Sequence, residues 1–155
     1  MTTWQRCAVG VLAALSLGPG AVEAQRAAPD TTRVAAEVWA ADVAFDADVA
    51  RRGLDAWVEW MTEDVFKPDL HGETVQGRAK VRIADARLFA NPEGRLRWRP
   101  TESGAFSDPR YGWTRGRWEW VNPGGEASAG GTYLTIWRRE AEGWRVVVDT
   151  GVDQK

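Results

Sequence analysis

Asp149 is the first residue in this 155-residue sequence with an evident capacity for chemistry, because it interrupts the apolar run Val146-Val147-Val148. A carboxylate there either faces an interior, paired with an arginine, or lies on the opposite face of its strand. Asp64 opens an extended segment. Walled by apolar groups, its pKa would rise and it would serve as a general base; as a cap or turn contact at the end of a short helix it would do no chemistry. His71 is the single histidine, and imidazole alone has an ordinary pKa close to neutrality. In Pro68-Asp69-Leu70-His71-Gly72 it is either a loop base or a solvated side chain. Arg115 and Arg117 share a strand face with Tyr111 and Trp113, so they either bind a carboxylate or enolate oxygen or form surface ion pairs. Tyr133 joins Arg115 as a candidate oxyanion donor. Asp42 and Asp46, one helical turn apart, fit a paired acid site or, more simply, an exposed polar stripe.

The other resource is aromatic surface, since tryptophan occurs ten times. Trp57, Trp60, Phe66, Trp98, Trp113, Tyr133 and Trp137 are candidates, with Arg115, for lining a ligand site; stacking on flat or ring-shaped molecules uses such a wall. Core and dimer-interface packing compete for the same residues, and Trp144 reads as core.

Composition removes several classes of function. Acidic residues number 22 and basic ones 20, a net charge of -2, whereas a protein that grips phosphates is usually basic. Cys7 and His71 are the only residues of their types, so a zinc cluster, a disulfide framework and a Cys-His nucleophile pair are excluded. There is no Gly-x-x-x-x-Gly-Lys and no Gly-x-Ser-x-Gly, and no cofactor or metal is expected.

Residues 1–24 read as a secretory signal peptide: Arg6, an apolar run from Ala8 to Leu17, Gly18-Pro19-Gly20, and small or moderate residues before a cut at Gln25. The apolar run is about 10 residues, too short for a bilayer span of about 20. The expected mature protein is secreted or periplasmic and holds no membrane. Residues 25–32 form a linker, and 33–153 a single domain.

The elements that must position these side chains follow from periodicity. Val34, Val38, Ala41, Phe45 and Val49 predict an amphipathic helix capped by Thr31 or Thr32 and ended by Gly53. Leu54, Trp57, Val58 and Met61 predict a second, short helix at an angle to the first. Asp64 to Pro68 is extended, and Gly77 opens a third helix, Arg78 to about Ala90, with Ile83, Ala86 and Ala90 at helical spacing. Period-two alternation then predicts four antiparallel strands in a meander: around Leu96–Pro100, Tyr111–Trp120, Thr132–Trp137 and Trp144–Asp149. Helices first and strands last is an α+β layout, one strongly curved sheet with three helices on one face.

This order resembles the nuclear transport factor 2-like (NTF2-like) superfamily, and within it the SnoaL-like or DUF4440 group. The resemblance is carried by Ala40-Ala41-Asp42-Val43-Ala44-Phe45, Arg52-Gly53-Leu54-Asp55-Ala56-Trp57, Thr62-Glu63-Asp64-Val65 and Val75-Gln76-Gly77-Arg78. It continues through Gly131 to Arg138 and Gly143 to Gly151. It implies a conical cavity between sheet and helices and often a homodimer through the outer sheet face. The expected function is binding of a small hydrophobic or aromatic molecule. The alternatives are a cofactor-free isomerase, cyclase or dehydratase using Asp64, His71 or Asp149, and a dimeric assembly domain.

Overall fold

A computed structural model of the chain describes residues 30–68, 74–91 and 93–154. The signal peptide, most of the linker and His71 lie outside the described residues. The first helix, α1, spans Thr31–Arg52, and its N-cap is Asp30 rather than either threonine: the Asp30 carboxylate accepts the Arg33 amide at 3.0 Å. Gly53 follows with φ of 60°, a left-handed conformation that favours glycine, and so the chain can turn directly into α2, Leu54–Glu59. Met61 belongs to the first strand and not to this helix; β1 is Met61–Lys67. A short β2, Val75–Gln76, precedes α3, Arg78–Ala90. The expected meander is present as β3 (Arg95–Ala105), β4 (Tyr111–Val121), β5 (Ala127–Glu140) and β6 (Gly143–Asp153).

All six strands form one curved sheet in the order β2-β1-β6-β5-β4-β3. The meander is antiparallel, and β1 joins it parallel to β6. The helices cover one face. Apolar residues of α1 and α2 pack there against Trp137, Trp144 and Val146, around Phe45 as hub. The Phe45 ring lies 4.8 Å from that of Trp98, 5.2 Å from Trp57 and 6.0 Å from Trp137, centroid to centroid.

Two helix faces differ from the sequence reading. The buried stripe of α1 runs through Val34, Val38, Asp42, Phe45, Asp46 and Val49, so both aspartates are interior and not part of an exposed polar stripe. In α3 Val81 is buried, Asp85 and Leu88 border the concave side half-buried, and Ile83 is 78% exposed. Ile83 and Ala90 have helical spacing with Ala86 but are exposed, because the sheet and α2 meet the Val81 side.

Glycines let rings lie flat on the sheet. A β-carbon at Gly116 would come within 2.8 Å of the Tyr133 ring, and one at Gly131 within 2.7 Å of the Trp118 indole nitrogen. These pairs are neighbours across strands β4 and β5. Bare backbone at both positions frees the concave face for the two aromatic rings.

Candidate functional site

Between α3 and the concave face lies a cavity of about 490 Å³. Its aromatic wall consists of Phe45, Trp57, Trp98, Trp118 and Tyr133, with Val75, Ala84, Leu88 and Leu96 completing the apolar part. Lys67, Asp85, Thr135, Asp149 and Asp153 supply the polar part. Each side chain arrives there for a local reason. Lys67 is the last residue of β1, two beyond the buried Val65, and so continues the inner face. Asp85 sits one turn from Val81 on the inward side of α3.

Asp149 owes its position to a β-bulge. Trp137 pairs with Val146, but the preceding Ile136 pairs with Val148, which leaves Val147 as the extra residue. Strict alternation would set Asp149 opposite in facing to Val146. The bulge reverses the phase, and Asp149 pairs with Thr135 on the concave side. Its partner is a lysine, not the arginine expected from sequence.

The polar groups form a linked set. Lys67 Nζ donates to Asp85 Oδ2 at 2.6 Å and lies 3.8 Å from Asp149 Oδ2. Trp57 Nε1 donates to the same Asp85 oxygen at 2.7 Å, and the Lys67 ammonium stands 4.8 Å from the Trp57 ring centroid. Thr135 Oγ1 donates to Asp149 Oδ1 at 2.9 Å. Burial raises the Asp149 carboxyl above its ordinary pKa, with the Lys67 charge and the Thr135 hydroxyl pulling the other way.

Behind the aromatic wall is a second carboxylate. Asp42, 0% exposed, accepts Trp98 Nε1 and Tyr133 Oη, each at 2.7 Å. Burial raises its pKa, opposed by hydrogen bonds from Tyr133, Thr114 and Trp98. The Tyr133 phenol is in turn raised by burial and by the Asp42 charge, so it remains protonated. One turn on, Asp46 accepts the Trp98 backbone amide at 3.0 Å and a bidentate pair from Arg97. It covers part of the open edge of β3. Arg97 is thereby held against α1.

Of the candidates read from sequence, Asp149, Trp57, Trp98 and Tyr133 meet at this cavity. The others stand elsewhere. Trp137 is core, its indole donating to Thr114 Oγ1 at 2.9 Å, and Trp60 donates to Asp48 at 3.1 Å beside Phe45. Arg115 pairs with Glu102 on the convex face, which Trp113 shares by strand alternation. Phe66 is 39% exposed outside the lining. Asp64 is paired with Arg138 on the convex face at 2.8 Å, and that guanidinium lowers its pKa to about 2. This is opposite to the rise that a general base in an apolar wall requires. Sequence reasoning passed over Lys67 and Asp85, and it favoured an exposed stripe for Asp42, which is buried. The available signal was spacing: Asp42 lies four residues after Val38, Asp85 four after Val81, and Lys67 two after Val65. Among the described residues no three His, Cys, Asp or Glu side chains are grouped to hold a metal ion.

No protein-family model matches the sequence, and no curated protein matches it. Solved structures do. The chain is similar to an NTF-2 like protein of unknown function from Shewanella oneidensis, at 15% identity and a TM-score of 0.58, over 72% of this chain and 97% of that one. It is similar to a ketosteroid isomerase-like protein from Erwinia carotovora atroseptica, at 17% identity and a TM-score of 0.62, over 78% and 96%. A protein of the DUF3225 family from Pectobacterium atrosepticum aligns at 20% identity with a TM-score of 0.58, over 79% and 92%. The fold is NTF2-like: helices packed on a six-stranded curved sheet.

Proposed function

We propose that the chain binds a small hydrophobic or aromatic molecule in the concave cavity. The observation that carries this reading is the wall of five aromatic rings around about 490 Å³. Ligand pockets commonly have volumes of about 300–1,000 Å³, apolar walls and a few converging polar groups. The test is a thermal-shift screen of small aromatic compounds on the mature chain. A ligand at 100 times its Kd stabilises by about 2.7 kcal/mol, which raises the midpoint of a domain this size by roughly 10 °C. Ala84→Trp, which sets an indole across the cavity mouth, should abolish the shift. Failure of every compound, or an undiminished shift in the variant, overturns the reading.

Proton-transfer catalysis, as in a cofactor-free isomerase, is the second reading, and one feature favours it: burial raises the Asp149 carboxyl above its ordinary pKa in the cavity wall. The likeness to a ketosteroid isomerase-like protein supports it as well. Against it, the Tyr133 hydroxyl has one proton and already gives it to Asp42, so that group is not free to stabilise an oxyanion. Binding without turnover is therefore the better account.

Residues 1–24 support export before function, and an N-terminus at Gln25 on the exported protein would verify it. Met1 or Thr2 there would refute it. Exposed Phe66, Leu134 and Val152 support pairing of two copies through the convex face. A SnoaL-like or DUF4440 affiliation remains part of this proposal.

A further inference from the structure

We propose that the cavity selects an aromatic or apolar ligand that carries a positive charge, an arylalkylamine or quaternary ammonium, over its neutral and anionic isosteres. The inference rests on the reading of the cavity as a small-molecule site and concerns which molecules enter it.

Three observations converge. First, the lining is unbalanced in charge: among the described residues Asp85, Asp149 and Asp153 face one ammonium, Lys67, and no arginine lines the space. Lys67 is itself committed, bonded to Asp85 and close to Asp149. A carboxylate ligand would have to displace one of these carboxylates or enter a field of like charge.

Second, this wall already holds a cation. The Lys67 ammonium is bracketed by two carboxylates and stands 4.8 Å from the Trp57 ring centroid. That is the combination of π-face and negative charge that stabilises organic cations.

Third, the rest of the cavity repeats those ingredients without a resident cation. Asp153 pairs across strands with Gly131, and the Trp118 indole lies over Gly131. Ring and carboxylate thus stand side by side at the β6 end of the cavity. Among the described residues no lysine or arginine forms an ion pair with Asp153. The apolar surface of Leu88, Leu96 and Val75 lies in the same cavity and suits the uncharged body of the ligand.

The experiment is calorimetric titration of the mature chain with three ligands of one shape: 1-naphthylmethylamine, 1-naphthalenemethanol and 1-naphthoate, at neutral pH and low salt. The amine should bind about tenfold tighter than the alcohol, the size of a partly desolvated cation–π and carboxylate contact. The naphthoate should bind more weakly than either, and added salt should narrow the gap. Asp153→Asn, at an exposed position where folding is not at risk, should reduce the amine's advantage severalfold. Lys67→Gln should increase it by releasing Asp85. Binding of amine and alcohol with equal affinity overturns this inference and leaves the cavity reading standing. Tighter naphthoate binding that Lys67→Gln abolishes overturns it in favour of Lys67 as an anion anchor. Failure of all three to bind overturns the cavity reading, and this inference with it.

Discussion

Two groups of aspartates sit on the concave side of the sheet, and their surroundings divide structural acid from available acid. Asp42 and Asp46, on α1, are saturated. Asp42 accepts the Trp98 and Tyr133 side chains, and Asp46 accepts a backbone amide and a bidentate arginine. Asp85 and Asp149 share one lysine and border open volume. A buried carboxylate whose lone pairs are all met by the fold holds elements together. One that borders a cavity with part of its charge unmatched can meet a ligand.

The strongest way to break this comparison is Asp42→Ala. It leaves the Trp98 indole N–H and the Tyr133 hydroxyl without an acceptor in the interior, at a cost of about 3 kcal/mol or more in chemical unfolding. Asp42→Asn, which retains an oxygen acceptor, should cost much less. A loss below about 1 kcal/mol in the alanine variant would remove Asp42 from the structural group.

Ala84→Trp should act in the opposite sense. Ala84 borders the cavity from an exposed position on α3, so the variant should unfold within about 0.5 kcal/mol of the parent while ligand affinity falls at least tenfold. Unchanged affinity would move the binding site elsewhere.

A third contrast is in pH. Burial raises the Asp149 carboxyl, so the native state holds that proton more tightly than the unfolded chain does. Its contribution to stability is therefore present at low pH and falls as pH rises from the ordinary aspartate value of 3.8 through the raised one. Asp149→Asn should flatten this slope, which for one proton cannot exceed about 1.4 kcal/mol per pH unit. An unaltered slope in unfolding titrations would mean that Asp149 is not held above its ordinary value.

The smallest effect is expected at Asp64, whose carboxylate is 59% exposed on the convex face. Its pKa is lowered, so whatever its pair with Arg138 contributes is complete above 3.8 and is lost as pH falls through about 2. Solvent screening limits that to about 0.5 kcal/mol, read from Asp64→Asn in unfolding titrations. A loss as large as that of Asp42→Ala would erase the distinction between the two faces.

Much of the fold was legible because it is written in periodicity. The spacing of Val34, Val38, Phe45 and Val49 gives α1, and the alternation from Leu96 to Asp149 gives the meander. What alternation does not encode is a bulge. Val147 looks like any other strand residue, yet as the extra one it decides that Asp149 faces the cavity. The acids of α1 were misjudged for a different reason. Asp is usually a surface residue, and only the partners brought by β3 and β5, far away in sequence, make its burial affordable. Convex and concave faces of β4 were equally ambiguous: Arg115 with Trp113, and Trp118 with Thr114, both alternate, and Gly112 and Gly116 mark the helix-covered side only once Val38 and Tyr133 are seen against them.

The central claim is that the concave face, and not the convex one, receives a small molecule. Indole N–H resonances in a two-dimensional 15N NMR spectrum report on each tryptophan separately, so titration with 1-naphthylmethylamine tests it directly. The account predicts that saturable shifts concentrate at Trp57, Trp98 and Trp118, with Trp113 unmoved. Shifts confined to Trp113, or saturating shifts that leave Trp57, Trp98 and Trp118 in place, would contradict it.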